Sequence, residues 1–206
     1  MEAIAQGHTL DPRVEWGAET DENLMLMYGE GDTAAFEELY HRHKGSVYAF
    51  IRRFITREEM WDDLFQSVFF RVIQNRKNYK VQARFTTWLF TIARSVCIDV
   101  VRKRSYRATV SLGGCGEDGP AVEEALHEEG TAREWLYQAE IREALERILR
   151  TLPPEQREVL LLREHTAMTF DEIGTMLGIS TNTAKSRMHY ALTALRRGLQ
   201  QQGMEG

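Results

Sequence analysis

The sequence predicts an all-α fold of two small helical domains joined by a flexible acidic linker, and three observations support this prediction. Apolar residues recur at three- and four-residue steps through most of the chain, which is the period of amphipathic helices. That period stops between residues 108 and 132, where glycine and acidic residues accumulate around a proline. Near the C-terminus a helix, a glycine-containing turn and a second helix follow one another, an order typical of a helix-turn-helix unit.

Composition and charge narrow the class of protein. The chain has 206 residues, and 43% of them are hydrophobic, which is enough for packed cores. Its two cysteines lack the spacing of a metal site, and no apolar run or signal pattern predicts membrane insertion. We therefore expect a cytoplasmic protein with a loose acidic tail (1–20), a first domain (21–107), the linker (108–132) and a second domain (133–200).

The first domain begins with two predicted helices. A short one runs from Asp21 to Tyr28 and stops at the glycines that follow. Asp32 can cap the next helix, because its carboxylate can accept hydrogen bonds from the free N–H groups at the helix start. The apolar period of this long helix continues to Phe54. Its histidines, His41 and His43, are two residues apart and diverge on a helix, so they are not expected to bind a metal.

A third helix is predicted where the sequence reads DDLFQSVFFRVIQN, and its buried stripe includes Leu64, Val68 and Val72. Another side of this helix carries a polar and acidic set with one aromatic residue: Asp62, Asp63, Gln66 and Phe70. A solvated acidic face is one interpretation of this set. The other is a docking face for a basic helix, which a phenylalanine among polar neighbours favours.

The stretch from Arg76 to Arg107 holds nine basic residues and one acidic residue, whereas the whole chain has a net charge of −5. Positive charge concentrated in this way indicates a nucleic-acid surface, and interleaved aromatic rings suit a single strand because each ring can stack on a base for about 1–3 kcal/mol. A core helix with a solvated basic end is the alternative. The candidate DNA-binding residues are Arg76, Lys77, Tyr79, Lys80, Arg84, Trp88, Arg94, Ser95, Arg102, Lys103 and Arg104.

Helical spacing divides the helix from Phe85 to Arg107 into two faces. The expected buried face consists of Phe85, Trp88, Leu89, Ile92, Val96 and Val100. The expected polar face carries Thr87, Thr91, Arg94, Ser95 and Arg102.

The second domain begins with a helix whose apolar period runs from Leu136 to Leu152. Pro153 and Pro154 end it and open the next helix, because proline is accepted in a first helical turn. That short helix is expected to bury Val159, Leu160 and Leu162.

The helix-turn-helix unit follows. Thr169 and Glu172 form a predicted capping box, Gly178 permits a left-handed turn, and Ser180 can cap the second helix. The inward residues of that helix are Ala184, Met188 and either Leu192 or Leu195. Its candidate DNA contacts are Thr181, Asn182, Thr183, Lys185, Ser186, Arg187, His189 and Tyr190. Generic helical hairpins mimic this pattern, but the caps, the glycine turn and an acid-free second helix together favour duplex binding.

Taken together, the two halves resemble the extracytoplasmic-function class of bacterial sigma factors, which keep only two of the conserved sigma regions. DDLFQSVFFRV is similar to the segment that docks on RNA polymerase, and FTTWLFTIARSVCIDVVRKR to the segment that melts the promoter and reads its minus-ten element. LPPEQREVLLLRE and TFDEIGTMLGISTNTAKSRMHYALTALR resemble region four, which reads the minus-thirty-five element. The family usually has an acid at the position of Ser67 and often has asparagine at that of Ser95.

The resemblance implies a function without catalysis. A sigma factor binds core polymerase, at its beta-prime coiled coil and beta flap, and directs it to promoter DNA, both as duplex and as unpaired non-template strand. No catalytic residue, cofactor or metal is expected. Members of the class commonly have a cognate anti-sigma partner, which the residues of this chain do not themselves indicate.

Two other classes of protein were weighed against this one. A two-domain helix-turn-helix regulator that binds duplex DNA only would leave both the acidic docking face and the basic aromatic stretch without a task. A nuclease that uses Asp62 and Asp63 would need further metal-binding or catalytic partners, and the sequence shows no such cluster.

Overall fold

The computed structural model describes residues 19–108 and 132–203. In these ranges the chain forms helices joined by short connections, with single 3-10 turns at Glu58–Met60 and Arg76–Asn78. The helices of the first half are α1 (Asp21–Glu30), α2 (Thr33–Phe54), α3 (Trp61–Asn75) and α4 (Phe85–Ala108). Those of the second half are α5 (Ala132–Thr151), α6 (Pro154–His165), α7 (Phe170–Leu177) and α8 (Thr181–Gln201). The all-α prediction is confirmed.

Side-chain caps define where several helices begin. Asp32 Oδ1 accepts hydrogen bonds from the backbone N–H groups of Ala34 and Ala35, at 2.9 and 3.3 Å, at the start of α2. Thr169 and Glu172 form a complete capping box at the start of α7. Ser180 Oγ accepts a hydrogen bond from the N–H of a residue in the first turn of α8. These caps satisfy donors that have no partner within their own helix, and all three were predicted.

The core of the first half lies between α2, α3 and α4. Large aromatic side chains fill it, and Phe50, Phe85 and Phe90 are almost fully buried. Glu22 joins α1 to this core, because its Oε1 accepts a hydrogen bond from the backbone N–H of Phe85 at 2.6 Å. No helix in residues 19–108 or 132–203 is long and apolar enough to cross a membrane.

The buried side chains of α4 differ from the expected face. Phe90, Ala93 and Cys97 are buried, whereas Trp88 and Ile92 are only half-buried. The reason is that α4 contacts α2 and α3 and also α6, so its buried surface is rotated and widened relative to a single apolar stripe.

Helix α6 is buried on more than one side. Val159, Leu160, Leu161 and Leu162 are all buried, so Leu161 joins the three residues that the sequence predicted. The cause is that α6 lies between α2 of the first half and α8 of the second half.

The turn between α7 and α8 depends on two glycines. Gly178 has a φ of 68°, in the left-handed region where glycine lacks the steric cost of a side chain. Gly174 allows α7 to approach the turn closely, since a Cβ there would lie 2.9 Å from the carbonyl oxygen of Ile179. In α8, Ala184 and Ala191 are buried and Leu195 is half-buried. Leu192 is 47% exposed, so Leu195 is the inward residue of the two alternatives.

The two halves share one hydrophobic core. Buried residues of α6 and α7 belong to the same contiguous cluster as those of α2 and α4. At the junction, the ring of His165 lies parallel to that of Phe90 and against that of Phe50. The boundaries proposed for the four sequence segments remain predictions, and the linker calls fall mostly on residues 109–131, outside the described ranges.

Candidate polymerase and nucleic-acid interfaces

The candidate docking face lies along α3 and is open to solvent. Asp62, Asp63 and Gln66 are exposed, and the ring of Phe70 is 59% exposed. Tyr48 of α2 donates a hydrogen bond from its hydroxyl group to Asp62 Oδ1 at 3.1 Å, which orients that carboxylate. All four predicted residues are thus accessible on one helix, where they form an acidic surface that includes one large apolar side chain.

Residues 76–84 form a basic loop between α3 and α4. Lys77, Lys80 and Arg84 are exposed and leave their charges available to an anion. Arg76 is half-buried, with its guanidinium 5.7 Å from the ring centre of Tyr28 and one N–H donated to the carbonyl oxygen of Ile73. Arg76 therefore packs against α1 and α3 and stabilises the loop, and its charge is less accessible than those of the other three cations.

Tyr79 departs from the prediction. We expected its ring to offer a stacking surface to DNA, yet it is only 6% exposed. Its ring packs edge-on against those of Trp88 and Phe85, at centroid distances of 5.0 and 6.1 Å. Burial raises the pKa of Tyr79 to about 12. Tyr79 thus lies buried beneath the basic loop. Trp88 is half-buried, so its ring is the more accessible of the two.

Two predicted DNA contacts on α4 have protein partners. Arg94 Nε donates to Glu158 Oε1 of α6 at 2.7 Å, so this side chain is not on a free polar face. Ser95 is exposed, and its Oγ accepts a hydrogen bond from Arg71 at 3.2 Å. Arg102 is exposed, whereas the side chains of Lys103 and Arg104 lie outside the described part of the structure.

Arg71 of α3 was not among the predicted residues, yet it contacts two residues of α4. Besides contacting Ser95, Arg71 donates to Asp99 Oδ2 at 2.7 Å and so joins α3 to α4. The sequence did contain an indication of this contact. Asp99 is the single acid between residues 76 and 107, and an isolated acid on a basic helix is expected to pair with a basic side chain.

The first turns of α8 present the polar set predicted for duplex binding. Asn182, Lys185, Ser186, His189 and Tyr190 are exposed, and the ring of Tyr190 is 59% exposed. In the remaining three residues of this set, either the hydroxyl group lies close to another protein group or the side chain is half-buried. Thr181 donates its hydroxyl proton to Asp171 Oδ1 at 2.7 Å, Thr183 is exposed with its hydroxyl 2.8 Å from that of Ser180, and Arg187 is half-buried.

The described residues contain no group of three or more histidine, cysteine or acidic side chains that could hold a metal ion. His43 lies in the core with its Nε2 2.7 Å from Asp21 Oδ2, as a histidine with a hydrogen-bond partner. Cys97 is buried, and burial raises the pKa of its thiol to about 12.

Family models match both halves of the chain. The model for sigma-70 region 2 matches residues 39–107, which cover most of α2 and all of α3 and the basic loop. The model for sigma-70 region 4 matches residues 148–197, from the end of α5 into α8. The two regions occur in the order that the sequence resemblance implied.

Curated relatives extend the match over most of the chain. The sigma factor CarQ of Myxococcus xanthus is 30% identical over 172 residues, which are 84% of this chain and 93% of the relative. The ECF sigma factor SigW of Bacillus subtilis is 26% identical over 82% of this chain and 91% of the relative.

Two solved structures share the fold. Sigma factor RpoE of Bartonella quintana, in complex with the anti-sigma factor NepR, aligns with a TM-score of 0.62 and 20% identity over 80% of this chain and 96% of that one. CnrH in complex with the cytosolic domain of CnrY aligns with a TM-score of 0.57 and 21% identity over 88% of this chain and 98% of that one. With both sigma regions in order and a sigma factor relative matched over nearly its full length, the chain belongs to the extracytoplasmic-function class of RNA polymerase sigma factors.

Proposed function

We propose that this sigma factor binds core RNA polymerase through the α3 face, reads a minus-thirty-five element with α8 and holds an unpaired minus-ten strand with the basic loop and α4. The exposed acidic face of α3 beside the exposed cations of the basic loop is the observation that carries this proposal. One small domain thereby offers a negative surface to a basic protein partner and a positive surface to DNA, and the two partners do not compete for the same side chains.

Strand separation needs no chemical step in this proposal. Unstacking and unpairing a base costs a few kcal/mol, and contacts of the protein with the exposed strand can offset that cost. Trp88 supplies a half-buried ring, while Lys77, Lys80 and Arg84 supply charges for the phosphates. The chain therefore acts by binding energy, and no residue is assigned a catalytic role.

Base reading is assigned to α8. Lys185, Ser186 and His189 are exposed on its first three turns, where side chains of a recognition helix reach base edges in the major groove. Arg196 and Arg197, further along the helix, are exposed and suit phosphate contacts.

Two further elements of the proposal rest on the relatives. The solved neighbours are complexes with the anti-sigma factor NepR and with the cytosolic domain of CnrY, which supports an anti-sigma partner for this chain. Action on RNA polymerase also supports a location in the bacterial cytoplasm. A regulator that binds duplex DNA only would leave the α3 face without a partner, and the relatives give it no support.

The test is reconstitution with core polymerase. The purified chain should be retained by immobilised core enzyme and should give run-off transcripts from a subset of genomic promoter fragments, while core enzyme alone gives none. Binding to duplex DNA without any binding to core enzyme would instead identify the duplex-only regulator.

A further inference from the structure

Helix α1 contacts both ends of the basic loop, residues 76–84. It touches the 3-10 turn Arg76–Asn78 at one end and the start of α4 at the other. This helix precedes residues 39–107, which the sigma-70 region 2 model matches. Its residues belong neither to the α3 face nor to the exposed set on α8, so the basic loop is the surface through which α1 can influence DNA binding.

At the α4 end of the loop, Glu22 caps a helix to which it does not belong. Its Oε1 accepts a hydrogen bond from the backbone N–H of Phe85 at 2.6 Å. Arg84 occupies the N-cap position, because its carbonyl oxygen accepts the first hydrogen bond of the helix, from the N–H of Trp88. An arginine side chain only donates hydrogen bonds, so it cannot cap the free N–H groups of α4. Glu22 supplies this acceptor, together with a negative charge that a helix N-terminus favours.

At the other end, the backbone of α1 lies against the backbone of the loop. A Cβ added at Gly29 would lie only 3.2 Å from the carbonyl oxygen of Arg76. The guanidinium of Arg76 covers the ring of Tyr28, 5.7 Å from its centre. Between these two ends the ring of Tyr79 is buried, and the negative charge of Glu22 adds to the effect of burial in raising its pKa. Helix α1 therefore follows the buried side of the loop from one end to the other.

Helix α1 is itself fixed to α2. Asp21 Oδ2 lies 2.7 Å from Nε2 of His43, which is buried in α2. Asp21 Oδ1 accepts a hydrogen bond from Arg42 of the same helix at 2.9 Å. The backbone at Glu22, the next residue, is therefore held in place relative to α2.

The capped N–H of Phe85 lies between two residues that are proposed to hold the promoter strand. Arg84 precedes it and is exposed, and Trp88 follows three residues later and is half-buried. Without the cap, the first turn of α4 would fray, and the strand would have to order both side chains as it binds. Ordering side chains at an interface weakens binding, whereas a surface that already has its bound conformation avoids this cost.

We propose that Glu22 is a positioning residue for the unpaired minus-ten strand: it caps α4 from α1 and thereby holds Arg84 and Trp88 in the conformation that the strand requires. This inference rests on the proposed function. The expected effect of losing the cap is opposite in sign to the effect of losing the charge. Glu22 is an acid beside a basic loop, so removal of its charge alone favours a polyanion, whereas removal of the cap disfavours it.

Two substitutions at Glu22 separate the cap from the charge. Glu22→Gln removes the charge but keeps a carbonyl oxygen that can accept from the N–H of Phe85, whereas Glu22→Ala removes both. Glu30→Gln and Glu30→Ala are the matched controls, at an exposed acid at the end of the same helix. The midpoint of thermal unfolding is measured for all four variants, so that each is compared with the parent as a folded protein.

The first test measures amide hydrogen exchange by NMR in the full-length free protein. We expect the amide protons of Phe85 and Trp88 to exchange roughly three- to ten-fold faster in Glu22→Ala, the range that the loss of an N-cap produces. In Glu22→Gln they should exchange at rates close to those of the parent. The amide proton of Val47, buried in α2, should change less, because the opening is local to the start of α4.

The second test measures the affinity of reconstituted holoenzyme for the fluorescein-labelled non-template strand of a promoter fragment that gives run-off transcripts. We expect Glu22→Ala to weaken binding roughly three- to ten-fold, although it removes a negative charge. Glu22→Gln should bind as tightly as the parent or more tightly, and the two Glu30 variants should match each other. Affinity for core enzyme should be the same in all four variants, since neither acid lies on the α3 face.

Tighter strand binding by Glu22→Ala, or equal strand affinities of the two Glu22 variants, would overturn the proposal and show that Glu22 acts only as a repelling charge. Faster exchange at Phe85 with unchanged strand affinity would also overturn it, because the cap would then serve the fold alone. Unchanged exchange at Phe85 in Glu22→Ala would show that Glu22 does not hold α4. Failure of the parent to bind core enzyme would instead count against the proposed function, and the exchange result in the free protein keeps the two failures distinguishable.

Discussion

At the scale of single residues, His165 shows how a buried polar group makes the fold sensitive to acid. Its Nε2 is buried without a hydrogen-bond partner among the described residues. Burial lowers the pKa of His165 below its ordinary value of 6.5, and it outweighs the smaller effects of the Glu164 carboxylate, which raises the pKa, and of the Arg53 guanidinium, which lowers it. The neutral ring is therefore the form that stacks on Phe90.

We predict that the free energy of unfolding falls on acidification in a way that depends on His165. The unfolded chain takes up the proton near pH 6.5, whereas the folded chain resists it, so stability is complete above pH 6.5 and decreases as the pH falls toward the lowered folded pKa. The slope is at most about 1.4 kcal/mol per pH unit. Urea unfolding at pH 7.5 and 5.5 should show a larger loss in the parent than in His165→Phe. An identical loss in both proteins would contradict this assignment.

Gly174 provides a second prediction at this scale. In an ordinary helix, Gly→Ala stabilises by about 1 kcal/mol, because alanine has the higher helix propensity. Here the added Cβ would meet backbone, the carbonyl oxygen of Ile179 at 2.9 Å, and neither helix of the unit can yield easily. Gly174→Ala should therefore destabilise by roughly 1–3 kcal/mol and weaken duplex binding. The neighbouring exposed Thr175→Ala is the control in thermal unfolding, and a stabilised Gly174→Ala protein would refute the close approach.

At the scale of elements, α3 has one buried face and one exposed, acidic face. Leu64, Val68 and Val72 are buried against the core, while the residues proposed to dock on polymerase are exposed. Substitutions on the exposed face therefore leave the packing of α3 intact.

We predict that Asp63→Arg combined with Gln66→Ala weakens binding to core polymerase at least about ten-fold, because a like charge placed against a basic partner costs several kcal/mol. The midpoint of unfolding should not change. Exposed Gln74→Ala, on the same helix, is the control. Unaltered core affinity in a titration of the double variant would show that α3 does not dock there.

In the proposed function, the first turns of α8 read bases and the later part of the helix contacts phosphates. We predict that Lys185→Ala loses roughly 1–3 kcal/mol on the specific site only, whereas Arg196→Ala weakens binding to every duplex and lowers the salt slope by about 1. Titrations of specific and random duplexes at several salt concentrations measure both effects. Equal losses on the two duplexes for Lys185→Ala would assign this lysine to phosphate instead.

At the scale of the whole molecule, the charge distribution is uneven. From Glu117 to Glu134 the chain carries seven acids and one arginine, opposite in sign to the basic stretch. A simple hypothesis is that these acids keep a tether soluble. The alternative follows from the family resemblance, in which the linker occupies the basic RNA exit path of the polymerase before RNA is made.

We predict that glutamine at five of these acidic positions weakens binding to core polymerase and alters the ratio of abortive to full-length transcripts. The difference should shrink at high salt, because such attractions are screened within about 10 Å at 0.1 M. If core affinity at low salt and the product ratios are both unchanged, the acidic residues serve only to keep a flexible tether soluble. The side chains concerned lie outside the described residues, so this prediction rests on sequence and charge alone.

Local features of the chain could be predicted from the sequence. The helices, the caps at Asp32, Thr169 and Ser180, and the turn at Gly178 follow from interactions between residues within four positions of one another, which leave a periodic or residue-specific pattern. The exposed acidic face of α3 and the exposed polar set on α8 follow from the same helical spacing.

Only the tertiary structure decided which surfaces meet. Periodicity assigns an apolar face to a helix but names no partner for it, so the burial of Tyr79 under the basic loop and of Leu161 between two halves was missed. The ion pairs of Arg53 and Arg94 join residues more than sixty positions apart, and no local pattern encodes such a pair. The sequence by itself thus determined the helices and the sigma class, whereas long-range packing determined that α6 joins the second half to the first and that Arg94 pairs with Glu158.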